Sequence, residues 1–237
     1  MNSLVQKKYK AVENDFFNFL NKNLKKDLLF YVMTGSVARE DVISGWSDID
    51  ILIIIKKYNK KSISIINKAL SRNNSKIKIG LTFFSYNSFI NEGLYKDPKT
   101  LYSFDLIEQG ICKPRVSEQK IKKTILKINQ KQKSSWYNTA SFAGILHDYK
   151  RALLLGVNYD EKIVYKRLAT LLKIILKQKG MVAHGYDEVF ELSKNKLKDF
   201  DMNFTQPIYI LQNPDISRGR YDEYVKFLRW LEKYPKF

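Results

Sequence analysis

Two short, wholly apolar runs constrain the fold of this chain more than any other feature of its sequence. Residues 28–33 read Leu-Leu-Phe-Tyr-Val-Met, and residues 51–55 read Ile-Leu-Ile-Ile-Ile. Each run is far shorter than the roughly 18 apolar residues that a membrane-spanning helix needs. Strands that are apolar on both faces lie inside sheets that helices cover on both sides. The runs therefore predict two buried strands, over residues 27–33 and 48–55, in a helix-covered sheet.

The pattern around these strands changes about halfway along the chain. Before that point, apolar residues recur at helical spacing over residues 5–24 and 63–70, and residues 76–85 alternate as a third strand. After it, the periodicity is only helical, over residues 117–128, 135–155, 160–179 and 221–233. Ser117 and Asp160 are predicted to cap two of these helices, and Gly180 to end one.

This change predicts an α+β chain of two domains. The first, residues 1–115, would contain a small mixed sheet flanked by helices, and the second, residues 116–237, would be an all-helical bundle. Pro114 stands at the predicted boundary as a helix breaker.

Polar residues at the ends of the two apolar runs form the most informative pattern in the sequence. The first run leads into Gly35-Ser36, and the second begins with Ser47-Asp48-Ile49-Asp50. Alternate residues of a strand point to one face, so Asp48 and Asp50 would aim two carboxylates the same way. No lysine or arginine follows until Lys56, so a bound cation would have to relieve their repulsion. Mg²⁺ commonly binds such carboxylates together with substrate phosphates, and the pair predicts a magnesium–triphosphate site.

The Gly-Ser turn supplies groups that bind anions. Gly35 lets the backbone approach a phosphate closely, and the hydroxyl of Ser36 can donate to a phosphate oxygen. Arg39, one helical turn further on, can reach a phosphate with its planar guanidinium. The order strand, Gly-Ser, Asp-x-Asp, apolar strand therefore predicts a nucleotide site.

These residues carry a family resemblance. The segment Gly35-Ser36-Val37-Ala38-Arg39, with Ser47-Asp48-Ile49-Asp50 and the apolar residues to Ile53, resembles the DNA polymerase β-like nucleotidyltransferase superfamily. It is similar above all to small bacterial members with a helical C-terminal domain, the minimal and the antibiotic nucleotidyltransferases. The specific match covers residues 28–56, and a looser one extends to about residue 110.

The resemblance implies a function and assigns residues to it. It implies Mg²⁺-dependent transfer of a nucleoside monophosphate from a nucleoside triphosphate, with ATP the expected donor, to an acceptor hydroxyl. Gly35, Ser36, Arg39 and Ser47 would bind the nucleotide, and Asp48 and Asp50 would be the catalytic metal ligands. The helical domain would bind the acceptor.

The sequence departs from the family at one position. Members usually carry a third carboxylate on the next strand, but residues 76–84 contain no acid, and Gly80 or Thr82 stands at the corresponding place. Another acid can substitute, and the candidates are Asp105, Glu108, Asp148 and Asp160. Otherwise proton removal relies on water, or the protein is a slow or inactive module that binds nucleotides and regulates. An RNA-binding protein with incidental aspartates is a third hypothesis.

The charge of the chain bears on the acceptor. Its 42 lysines and arginines against 24 acidic residues give a net charge of +18, with the lysines spread along the sequence. Such a charge repels a polycationic aminoglycoside at long range and suits an RNA end. A side chain of a partner protein and a small molecule remain open as acceptors.

The remaining residues favour a cytoplasmic protein without zinc. The single cysteine, Cys112, cannot form an internal disulfide, and residues 1–10 carry lysines without the apolar core of a secretory signal. Two histidines and one cysteine argue against a zinc site. We expect no association with membranes.

Overall fold

The computed structural model describes residues 3–91, 98–131, 144, 146–147, 161–198, 200 and 229–230. Contacts divide the chain into two compact units, residues 1–133 and 134–237. The boundary predicted between residues 115 and 116 lies inside the first unit. As a division between a catalytic and an acceptor-binding part, that boundary stays a prediction.

The first unit combines one sheet with helices on both sides. Its helices are α1 (Ser3–Leu24), α2 (Gly35–Arg39), α3 (Lys60–Ser71), α4 (Tyr86–Ile90), α5 (Pro98–Glu108) and α6 (Gln119–Lys131). A turn of 3₁₀ helix, Lys25–Asp27, follows α1. The strands are β1 (Leu28–Thr34), β2 (Ile49–Ile55), β3 (Ile79–Ser85) and β4 (Val116–Ser117).

The sheet is mixed, with the strand order β3-β2-β1-β4. Strand β1 runs antiparallel to β2 and to β4, and β3 runs parallel to β2. The end of β1 therefore meets the starts of β2 and β3 at one edge, where Thr34, Asp50 and Gly80 lie side by side in register. This arrangement confirms the predicted mixed sheet flanked by helices.

The apolar residues of β2 fill the core on both faces of the sheet. Ile49, Ile51, Ile53 and Ile55 are fully buried in a cluster that includes residues of α1 and α3. Leu52 and Ile54 are equally buried on the opposite face, the face to which the side chain of Asp50 also belongs. Asp50 at this edge therefore belongs to a strand whose apolar residues are packed in the core on both faces of the sheet.

Several element boundaries of the first unit differ from the sequence predictions. Asp48 precedes β2 rather than belonging to it, and β3 begins at Ile79 instead of Lys76. Ser117 is not a helix cap, because it pairs with Phe30 across β1 and β4, and α6 starts only at Gln119. Backbone hydrogen bonding to β1 outweighs the capping preference of this serine.

The described part of the second unit is helical. Helix α7 (Glu161–Gln178) buries the predicted residues Leu168, Leu171, Leu172 and Ile175, and Gly180 follows it with a positive φ of 77°. Helix α8 (Tyr186–Lys196), for which the sequence analysis made no prediction, has Asp187 and Glu188 in its first turn. The predicted cap Asp160 and most of the helices at 135–155 and 221–233 lie outside the described residues. No helix in the described part of the chain is long and apolar enough to cross a membrane.

Candidate active site

The Gly-Ser turn packs directly against Asp50. Thr34, the last residue of β1, is paired with Asp50 on β2, so the turn that follows passes over the carboxylate. Gly35 has a φ of 68°, a region that residues with a Cβ rarely adopt. A Cβ built at Gly35 would lie 2.3 Å from Oδ2 of Asp50, closer than any non-bonded contact allows. The structure thus brings together the two motifs that the sequence separates by eleven residues.

Replacing Gly35 with alanine is expected to weaken binding of Mg²⁺ and ATP at least about tenfold, because the new methyl group displaces the Asp50 carboxylate from its place. The left-handed backbone also costs about 1–2 kcal/mol of folding free energy. Gly110→Ala is the matched control, since Gly110 has a φ of 73° and a Cβ added there would meet nothing within 4 Å. Urea unfolding should show a loss of stability in both variants, larger for Gly35→Ala because of its added clash with Asp50. Calorimetric titration should show reduced nucleotide binding only for Gly35→Ala, and equal binding by the two variants would contradict the role given to Gly35.

The loop before β2 fixes Ser47 and Asp48 through its backbone. The amide of Ser47 donates to the carbonyl of Ile43 at 2.9 Å, and the Ser47 hydroxyl accepts from the Ile43 amide at 2.9 Å. The Ser47 hydroxyl therefore closes this turn, and its predicted contact with nucleotide stays a prediction. Asp48 follows at once and is half-buried at the sheet edge.

Helix α1 holds both motif segments from one side. Gln6 donates from Nε2 to the carbonyl of Val37 at 2.7 Å, and the Tyr9 hydroxyl donates to the carbonyl of Ser47 at 3.1 Å. Lys10 forms an exposed salt bridge with Glu40 at 2.6 Å. Burial raises the pKa of Tyr9, and the negative charge of Asp48 raises it further. None of these residues stood out in the sequence, because an amphipathic helix gives no sign of what its polar groups contact.

Arg39 lies in a network that the sequence did not predict. Its side chain is only 9% exposed, and its Nε donates to Oδ2 of Asp41 at 3.1 Å while Nη1 donates to the Tyr102 hydroxyl at 3.4 Å. Cys112 is buried beside the same guanidinium, and burial raises the pKa of its thiol to about 12. These contacts join α2 to α5. The predicted contact between Arg39 and phosphate stays a prediction.

Removing the partner of Arg39 tests whether this network shapes the nucleotide site. We expect Asp41→Asn to weaken ATP binding about fivefold to a hundredfold, because loss of a charged hydrogen-bond partner at a buried guanidinium costs about 1–3 kcal/mol. Arg39→Ala should weaken binding by a similar factor, and the double variant should be no worse than either single one. Titration of ATP into all four proteins measures this, and fully additive losses would show that the pair does not act together.

The register of the sheet locates the position that the family usually fills with a third acid. Gly80 of β3 is the partner of Asp50, and Thr82 is the partner of Leu52. Both belong to the face of Asp50, but Gly80 stands at the edge and Thr82 one pleat deeper. Of the proposed substitutes, Asp105 and Glu108 lie on α5, and Asp148 and Asp160 lie outside the described residues. Among described residues, no group of three or more His, Cys, Asp or Glu side chains is placed to hold a metal ion.

The donor atoms at the edge fit a divalent cation that is shared with a substrate. Asp48 and Asp50 offer carboxylate oxygens, which are the ligands that Mg²⁺ prefers, and Mg²⁺ often takes only one or two of them plus phosphates and water. The missing side chain of Gly35 lets a substrate group come close to the Asp50 carboxylate, since a Cβ would occupy that space. The edge therefore suits a magnesium–triphosphate complex better than a cation held by protein alone.

Sequence comparison identifies the family of this unit. The family model of the nucleotidyltransferase domain matches residues 14–133, which contain β1, α2, β2 and β3. The chain belongs to this nucleotidyltransferase family. The match confirms the resemblance to the polymerase β-like superfamily that the Gly-Ser and Asp-x-Asp motifs indicated. No curated protein sequence matches the chain.

A solved structure shares the fold of the nucleotidyltransferase. The crystal structure of a spectinomycin adenyltransferase from Enterococcus faecialis, determined with ATP and spectinomycin, matches with a TM-score of 0.55. The match covers 94% of this chain and 99% of the other at 13% sequence identity. It confirms the predicted class, an α+β nucleotidyltransferase unit followed by helices.

Proposed function

We propose that this chain transfers a nucleoside monophosphate from a nucleoside triphosphate to an acceptor hydroxyl, with Mg²⁺ as cofactor. The single observation that carries the proposal is the close approach of the Gly35 backbone to Asp50, which places the Gly-Ser turn directly against a carboxylate. Membership of the nucleotidyltransferase family supports it. ATP is the proposed donor, as it is the nucleotide present with the adenyltransferase of similar fold.

Each motif residue has a role in this proposal. Asp48 and Asp50 hold the Mg²⁺ ion, which when bound offsets negative charge on the phosphates. The Gly35 backbone and the Ser36 hydroxyl orient the triphosphate, and Ser47 and Arg39 complete its surroundings. Because all the other residues of β2 are buried, the strand holds Asp50 in a fixed position, and such preorganised charges are effective in phosphoryl transfer.

We propose the acceptor only as a class: a compound with a free hydroxyl group that a strongly basic protein does not repel. An RNA end fits the net charge of +18, and a hydroxyl side chain of a partner protein also fits. A small molecule such as spectinomycin, which accompanies the adenyltransferase of similar fold, is the third class. A cytoplasmic location is compatible with all three acceptor classes and stays a prediction.

A second candidate function rests on Gly80. The residue beside Asp50 carries no side chain, so the described edge has no third acid that could accept a proton from the acceptor. A protein of this kind would bind nucleotide and Mg²⁺ with slow transfer or none, and it would act as a regulatory module.

Transfer of label from α-labelled nucleoside triphosphates separates the two candidates. The protein is incubated with Mg²⁺ and, in separate reactions, with RNA, a protein lysate and a panel of hydroxyl-bearing antibiotics. Label that reaches one acceptor class, and that is absent with Asp48→Asn, supports the enzyme and names its substrate. Tight binding of nucleotide without label in any reaction favours the regulatory module. Absence of nucleotide binding would contradict both.

A further inference from the structure

One long segment of the first unit carries only positive charge. Residues 51–91 contain eight lysines and arginines and no aspartate or glutamate. At the chain's frequency of 24 acids in 237 residues, a stretch of this length would hold about four. None of the eight basic side chains forms a salt bridge with an acid in the described part of the chain. The basic residues are Lys56, Lys57, Lys60, Lys61, Lys68, Arg72, Lys76 and Lys78.

The fold arranges these residues into a continuous track. Helix α3 connects the end of β2 to the start of the parallel strand β3, so it runs back toward the edge that holds Asp48 and Asp50. Its buried residues, Ser62, Ile66 and Ala69, face the sheet. Lys60, Lys61 and Lys68 are exposed on its outer side, which extends over about 18 Å. Lys76 and Lys78 continue the track to the edge, where the carbonyl of Lys78 accepts from the amide of Ile49.

An exposed aromatic ring lies at the far end of this basic track. Tyr58 is 45% exposed, and its ring meets Phe83 edge to face at a centroid distance of 5.2 Å, which holds it in place. Beside it is an open groove of about 460 Å³ between the loop and α3, lined by Tyr58, Asn59, Lys60, Ile63, Ser64 and Asn67. A fixed aromatic ring among lysines is the combination that binds an unpaired base and its phosphates.

We propose that this basic track, from Lys56 to Lys78 with Tyr58, is a docking surface for single-stranded nucleic acid. The lysines neutralise phosphates and release counterions, and Tyr58 stacks on a base. The surface follows from charge and exposure and is independent of nucleotidyl transfer, so it does not require nucleic acid to be the acceptor. An anionic membrane would use the same charges but would not need an aromatic ring held edge to face against the sheet.

Binding of labelled oligonucleotides to the full chain, without nucleoside triphosphate, tests the proposal. RNA and DNA single strands of about 16 nucleotides are titrated between about 50 and 200 mM salt. The triple variant Lys57→Gln, Lys60→Gln, Lys61→Gln should bind about tenfold or more weakly, and its salt slope should fall by about 2, since each contact to a single strand contributes about 0.7. Comparison of the RNA and DNA affinities shows whether the basic track binds one kind of nucleic acid or both.

A matched variant separates the track from the net charge of the protein. Lys122→Gln, Lys123→Gln, Lys127→Gln removes three exposed lysines from α6 and should leave binding within about twofold. Tyr58→Ala should weaken binding about fivefold or more while Tyr58→Phe preserves it. Equal losses in the two triple variants, or binding to anionic vesicles without binding to oligonucleotides, would overturn the proposal. Binding of Mg²⁺ and ATP by the variant with Lys57, Lys60 and Lys61 replaced, measured in parallel, shows that its fold and nucleotide site are intact.

Discussion

Replacement of Asp50 by asparagine is expected to lower nucleotidyl transfer by about a thousandfold or more. Asparagine has the size of aspartate and no charge, so the core around β2 stays packed while the metal loses a ligand. The lost metal ligand removes several kcal/mol of charge stabilisation from the transition state of phosphoryl transfer. Since each factor of ten in rate corresponds to about 1.4 kcal/mol, such a loss lowers the rate about a thousandfold or more. Initial rates of label transfer to the acceptor found in the panel measure it.

The Asp50 variant needs a control that removes a carboxylate elsewhere in the same unit. Asp15 is exposed on α1, away from the sheet, and Asp15→Asn should transfer at the wild-type rate. A transfer rate within about tenfold of wild type for Asp50→Asn would mean that this carboxylate does not hold the catalytic metal. Equal unfolding free energies of the two variants would show that the loss is chemical and not a loss of fold.

Replacement of Gly80 by aspartate has the second-largest expected effect, an increase. The new carboxylate would stand beside Asp50 on the same face, at the usual spacing of neighbouring strands, roughly 5 Å. If the new carboxylate acts as a general base, it should accelerate the reaction, since such a base typically raises a rate about 10²- to 10⁴-fold. We therefore expect the rate of transfer to rise about a hundredfold. Three adjacent carboxylates repel one another without a cation, so the variant should melt at a lower temperature than wild type and regain stability on addition of Mg²⁺.

Two controls show whether the effect of Gly80→Asp comes from charge and position. Gly80→Asn adds a side chain of the same size without charge and should not raise transfer. Thr82→Asp adds the charge on the same face one pleat deeper, beside Leu52, and should destabilise the fold without improving transfer. If Gly80→Asp folds and shows neither faster transfer nor stabilisation by Mg²⁺, the position of the third acid has been assigned wrongly.

The sequence predicted those elements whose residues follow a local hydrophobic pattern. Runs of apolar residues over 28–33 and 51–55 could only be buried strands, and β1 and β2 are found there. The spacing of Leu168, Leu171 and Ile175 predicted helix α7 and its buried face for the same reason. The candidate site was also visible, because Gly-Ser and Asp-x-Asp stand at the ends of those strands.

The contacts that shape the site depend on tertiary pairing and were not predictable. The closeness of Gly35 and Asp50 follows from the register of β1 on β2, which shifts at an irregularity between Leu28 and Phe30. The hydrogen bond between Arg39 and Tyr102 joins residues 63 positions apart, and no local pattern in the sequence indicates it. Helix α8 was not predicted, although Asp187 and Glu188 in its first turn are a helix-start signal.

Calorimetric titration of ATP in the presence and absence of Mg²⁺ tests the central claim most directly. If the edge formed by Gly35, Ser36, Asp48 and Asp50 binds a magnesium–triphosphate complex, Mg²⁺ should tighten ATP binding at least about tenfold in the wild-type protein. The same titration of Asp50→Asn should show no effect of Mg²⁺. Wild-type binding that is indifferent to Mg²⁺, or an undiminished effect of Mg²⁺ in Asp50→Asn, would contradict the assignment of this site.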